Sequence, residues 1–107
     1  MDIRKHLRFP VQFQGSFSSG QHLEGEGTVL NLSIGGCKVQ SDTRVPLGTG
    51  LRLRIMMPDE EQPLEIKRAA VRWTGGQEFG VEFTFIETEH ELRLRHFVQT
   101  IDKSSTT

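Results

Sequence analysis

The chain has 107 residues, a formal net charge of −1, 35% hydrophobic residues and one cysteine. A length of this kind is one domain's worth, burying about two thirds of the surface its unfolded chain exposes. The near-neutral charge argues against a general binder of nucleic acid or membrane surface, and the lone Cys37 rules out an intrachain disulfide framework.

No apolar run approaches the roughly 18 residues of a membrane span, and the start, Met1-Asp2-Ile3-Arg4-Lys5-His6, lacks a signal-peptide hydrophobic stretch. The expectation is a cytoplasmic protein without membrane insertion. Charge is unevenly spread: Arg4, Lys5 and Arg8 crowd the first eight residues, and Asp59, Glu60 and Glu61 form an acidic run. A local basic arm on a near-neutral body suits a small anion better than a long polyanion.

Residues 1–8 read as that arm and 9–86 as a run of strands. Phe9, Val11, Phe13 and Phe17 alternate with polar residues, the period-two mark of a strand with one buried face, and Gly15 suggests a bulge. Ser18 to Gln21 reads as a turn, Gly25 to Leu32 as a second strand and Cys37 to Gln40 as a third. Val45 to Gly50 breaks the chain. Leu51, Leu53 and Ile55 then alternate with Arg52 and Arg54, giving a fourth strand with a charged, solvated outer face.

After the acidic Pro58–Pro63 loop, a fifth strand spans Leu64 to Trp73, with the alternation slipping at Arg68-Ala69-Ala70 as in a β-bulge. Thr74-Gly75-Gly76-Gln77 reads as a hairpin turn, and Phe79, Val81, Phe83 and Phe85 mark the sixth strand. The period then changes. Thr88-Glu89-His90-Glu91 has the form of a capping box, and Leu94, Phe97, Val98 and Ile101 form a helical stripe over 88–101, with Leu92 opposite it. Residues 102–107 read as a frayed tail. The fold class is therefore all-β with a C-terminal α-helix, a six-stranded antiparallel β-barrel in a single domain.

Two short patterns carry possible chemistry. In Arg4-x-x-x-Arg8, arginine's planar fork can pair with phosphate or with the O6 and N7 edge of guanine. A solvated basic arm is the plainer explanation. In Asn31-x-Ser33-x-x-Gly36, the polar side chains suit a base edge and glycine permits close backbone approach, though an ordinary turn would use the same residues. Each is weak alone. Their order, one before the first strand and one after the second, is more telling.

Together with Thr28 to Cys37, Val71-Arg72-Trp73 and Phe79-Gly80-Val81-Glu82-Phe83, these motifs resemble the PilZ domain, a bacterial receptor module for the second messenger cyclic di-GMP. The resemblance covers nearly the whole chain. It implies a split six-stranded barrel with a C-terminal helix, and a non-catalytic receptor whose N-terminal arm orders over the ligand and signals to an effector protein. By the same resemblance, Arg4 and Arg8 would grip phosphates and guanine edges. Asn31 and Ser33 would hydrogen-bond a guanine, and Gly36 would shape the loop, with Asn31 standing where the family also permits Asp.

Lys5, His6 and Gly35 are possible additional contacts, and Trp73 is either a stacking platform or a packing residue at a strand end. His90 and His96 lie six apart rather than at metal-ligand spacing, and Cys37, alternating with Val39, reads as a small core residue. No metal, no cofactor other than the ligand itself, no enzymatic activity and no long nucleic acid are expected. The expected state is a monomer or weak dimer. A nucleotide-independent protein-interaction adaptor on the same fold is the alternative.

Overall fold

The computed structural model of the protein describes residues 8–20 and 22–105. Six strands, β1 (Phe9–Ser19), β2 (Leu23–Leu32), β3 (Gly36–Gln40), β4 (Gly50–Ile55), β5 (Leu64–Gly75) and β6 (Glu78–Phe85), precede one helix, α1 (Thr88–Ser105). The strands close into an antiparallel barrel in the order β1-β2-β3-β6-β5-β4, with β4 returning to pair with β1 from Gly15↔Ile55 to Ser18↔Arg52. Closure gives each strand of the described residues a neighbour on both sides, so none is an edge strand over its whole length.

Alternation does what the sequence pattern requires. In β4, Leu51, Leu53 and Ile55 are buried while Arg52 and Arg54 face solvent. The inward rows meet in a core that includes Phe17, Leu32, Leu53, Ile55, Leu64, Ile66, Phe79 and Val81. Burying each such side chain contributes about 1.5–3 kcal/mol. Phe17 and Phe79 meet edge to face across the barrel, ring centres 5.3 Å apart. Helix α1 adds Leu94 and Val98 to this core and sets Phe97 edge-on against Phe13 at 5.5 Å. Leu92, on the opposite side of the helix, is 62% exposed.

Several details differ from the sequence expectation. The bulge in β1 lies between Pro10 and Phe13, whereas Gly15 pairs in register with Gly27. Proline has no N–H to give to a ladder, so the irregularity falls beside it. Ser18 and Ser19 belong to β1, and the bend begins at Gly20, with φ 60°. Strand β5 runs on to Gly75, and the turn falls on Gly76, again at φ 60°, and Gln77. The slip at Arg68-Ala69 is present as a register shift against β6.

At the helix start, Thr88 is already helical. The Glu91 amide donates to the Glu87 carbonyl, and the Glu91 carboxylate turns to Arg95, so the pattern of a capping box acts here as an i, i+4 pair. The helix continues four residues past Ile101, through a segment read as tail. The residues Asp102-Lys103-Ser104-Ser105 that it adds carry no apolar position in the sequence. Residues 106 and 107 of that tail lie outside the described residues.

Candidate functional site

Between β2 and β3 the chain must turn within three residues while entering the barrel wall. Ser33 makes that possible. Its side chain is fully buried, and its hydroxyl accepts from the amides of Gly35 (3.1 Å) and Gly36 (3.0 Å) while donating to the Gly36 carbonyl (3.2 Å). The Ser33 amide donates to the same carbonyl at 2.9 Å, and the Gly35 carbonyl accepts from Phe83 at 2.8 Å. The Ser33 hydroxyl, the Gly35 and Gly36 amides and both glycine carbonyls of this turn are thereby satisfied.

Gly36 is required by proximity. A Cβ there would stand 2.3 Å from the Val81 carbonyl oxygen of β6, inside any permissible contact, and 3.4 Å from Arg8 Nη2. The guanidinium of Arg8 therefore lies against the Gly36 backbone. It is fixed from the other side by Asn31, whose Oδ1 accepts from Arg8 Nη1 at 3.0 Å. This bond joins the two sequence patterns across 23 residues. Asn31 uses one of arginine's five N–H donors, and the Arg8 side chain is otherwise exposed.

An open cleft of about 630 Å³ extends from this point, within the usual range for small-molecule sites. Arg8, Ser33 and Gly35 form one wall, and Trp73, Gly80 and Glu82 form another. Trp73 is 42% exposed and lies over Gly80, its cross-strand partner; a Cβ at Gly80 would be 2.0 Å from the indole Nε1. The ring is thus both packed and accessible, where the sequence reading treated these as alternatives. Beside it, Arg72 Nε donates to Glu82 Oε1 at 2.8 Å, with Nη2 in ion-pair contact with the same oxygen at 2.7 Å. Arg95 and its partner Glu91 bring α1 to the rim.

Among the expected site residues, Arg8, Asn31, Ser33, Gly35, Gly36 and Trp73 come together on one side of the barrel, though Ser33 faces inward and serves the loop. Arg4, Lys5 and His6 lie outside the described residues. Arg72, Gly80 and Glu82 entered the sequence reading only within strand signatures and not as site residues. The available signal was Gly80 itself, a glycine within a strand, which marks a close approach.

Cys37, fully buried, has its thiol pushed from 9.0 up to about 12 by burial, against the opposing pull of the Arg8 charge. It is a core thiol rather than a nucleophile. Among the described residues no three His, Cys, Asp or Glu side chains group as a metal site, and no helix is long and apolar enough to cross a membrane.

The PilZ domain family model matches residues 2–100. The chain belongs to the PilZ domain family. Solved structures share the fold. The inhibitor of motility MotI/DgrA from Bacillus subtilis superposes with a TM-score of 0.79 at 20% identity, over 97% of this chain and 53% of that one. YcgR from Escherichia coli, solved in complex with c-di-GMP, gives 0.79 at 11% identity, over 99% and 49%. The PilZ domain of CeSA from a cellulose-synthesizing bacterium gives 0.69 at 17%, over 90% and 98%. The PilZ chain thus spans about half the length of the first two, 53% and 49%, and nearly all of the third. A search of curated proteins returns no match.

Proposed function

We propose that this PilZ domain is a non-catalytic cytoplasmic receptor for cyclic di-GMP, which it binds in the cleft beside Arg8 and through which it signals to an effector protein. The observation that carries the reading is the Arg8–Asn31 bond over Gly36. It holds a guanidinium at the mouth of a cleft of ligand size while leaving further donors for phosphate or the guanine O6 and N7 edge. YcgR, which shares the fold, has been solved with c-di-GMP bound.

In this reading Arg8 and Arg4 grip the dianionic ligand, and Asn31 orients Arg8 and meets a guanine. Gly35 and Gly36 give the backbone access, Trp73 offers a ring for stacking worth about 1–3 kcal/mol per base, and Ser33 acts by holding the loop in shape. Lys5 and His6 add positive charge to the arm. Ligand preference for the arm-closed state is what would convert binding into a surface that a partner reads.

Isothermal titration with cyclic di-GMP at low salt tests this, with GTP and cyclic di-AMP as controls. Saturable binding of cyclic di-GMP alone, weakened at least tenfold in Arg8→Ala, is expected. Absence of heat, or an Arg8→Ala variant that binds as well, would refute it. The adaptor reading has one observation in its favour: Phe85 and Leu92 are 54% and 62% exposed. It predicts a partner whose capture is indifferent to nucleotide.

A further inference from the structure

We infer that Glu82, held by Arg72, reads the Watson–Crick edge of a guanine in the cleft and so sets the site's preference for guanine. The inference rests on the cyclic di-GMP reading above and adds a specificity determinant to it.

The placement comes from the sheet. Glu82 is the residue directly paired with Gly36 across β3 and β6. Arg8 lies against Gly36, with Nη2 only 3.4 Å from where a Cβ would stand. A cation and a carboxylate therefore flank the same glycine. On β6, Glu82 shares its outward face with Gly80, two residues earlier, and Gly80 is the residue on which the Trp73 ring lies. Arginine, aromatic ring and carboxylate border one opening.

The orientation of the carboxylate is set by Arg72. Arg72 Nε donates to Oε1 at 2.8 Å, Nη2 stands 2.7 Å from the same oxygen as its ion-pair contact, and Oε2 takes no bond among the described residues. A free acceptor beside a half-used one is the complement of guanine's Watson–Crick edge, where the N1–H and N2–H donors stand side by side. Adenine presents an acceptor at N1, which would face the carboxylate. Asn31 is a weaker candidate for this task, because its one acceptor oxygen already receives Arg8. With Arg8 on the O6 and N7 edge, one guanine would be bracketed on both edges.

A carboxylate near a dianion otherwise opposes binding, and this gives the test its sign. Had Glu82 only a structural role with Arg72, removing its charge would relieve like-charge repulsion and leave binding equal or tighter. Had it a role in reading guanine, the same change would weaken binding and relax specificity.

The experiment is titration of wild type and Glu82→Gln with cyclic di-GMP and with cyclic di-IMP, which lacks the 2-amino group. Melting curves would confirm that this exposed substitution leaves the fold intact. The wild type is expected to prefer cyclic di-GMP by about tenfold or more. In Glu82→Gln, cyclic di-GMP affinity should fall about tenfold and the preference should collapse toward one. Unchanged or tighter cyclic di-GMP binding in the variant, or an unchanged preference, overturns the inference while leaving the cyclic di-GMP reading in place. A wild type that takes up no cyclic di-GMP at all overturns both.

Discussion

The two loops that shape the rim of this barrel are held in opposite ways. The β2–β3 loop is stabilised from within: Ser33 satisfies the amides of Gly35 and Gly36 two and three residues away, and Phe83 reaches in only to cap the Gly35 carbonyl. The acidic β4–β5 loop is stabilised from outside. Arg93 of α1 donates to the carbonyls of Gln62 (2.7 Å) and Pro63 (3.2 Å) and to the Glu60 carboxylate, while His90 Nδ1 accepts from the Glu65 amide at 3.1 Å. Within it, Asp59 takes the left-handed φ of 64° that short polar residues tolerate. A self-contained turn can present its outer face to a ligand. A loop fastened by a distant helix is a structural joint, and its Glu60 charge is already paired with Arg93.

That contrast can be broken or sharpened by substitution. The largest effect is expected from Gly36→Ala, which forces a Cβ against the backbone oxygen of Val81 and pushes β3 from β6. A stability loss of about 3 kcal/mol, at the upper end for overpacking, should appear in denaturant unfolding, together with weakened cyclic di-GMP binding. Wild-type stability in Gly36→Ala would mean the two strands are not so close.

Ser33→Ala leaves the Gly35 and Gly36 amides without the hydroxyl they donate to in a buried turn, and a loss of about 2 kcal/mol is expected by the same measurement. A near-neutral result would show that the loop has other support.

Cys37 gives a pH signature. Its thiol, raised by burial from 9.0 to about 12, stays protonated in the folded chain while the unfolded chain's thiol ionises. The unfolded state therefore binds fewer protons in that window, and stability present below pH 9 declines as pH rises toward 12. Relative to Cys37→Ala, the wild-type slope should approach about 1.4 kcal/mol per pH unit. Parallel slopes for the two proteins would contradict a buried thiol.

The smallest effect is expected from Arg93→Ala, about 1 kcal/mol, because the side chain is partly solvated. Amide exchange in residues 59–65 should quicken while cyclic di-GMP affinity stays within about twofold, since Arg93 does not line the cleft. A large drop in affinity would tie the two loops together.

The same contrast explains what the sequence made legible. The period-two rows gave the barrel because each strand has one buried face, as Leu51, Leu53 and Ile55 illustrate against exposed Arg52 and Arg54. Asn31-x-Ser33-x-x-Gly36 was readable because the Ser33 bonds close within three residues. Arg8 joined it only through family resemblance, its partner lying 23 residues away. The Arg93 clamp, spanning about 30 residues, left no local pattern. Nor did the Arg72–Glu82 pair, which depends on a register shift in β5 between Val71 and Trp73 that propensity does not specify. The helix end was missed because Asp102 to Ser105 offer no apolar period, and Gly15 misled because a glycine within a strand can mark close approach as well as a bulge.

The central claim, that ligand enters the cleft between the self-held loop and β6, is tested most directly by backbone and indole amide shift mapping with cyclic di-GMP. The account predicts saturable shifts concentrated at Arg8, Asn31, Gly35, Gly36, the Trp73 indole and Glu82, with the Asp59–Glu65 amides silent. Shifts confined to the separate cleft between Ser41–Pro46 and Thr74–Phe79, or none at saturating nucleotide, would contradict it.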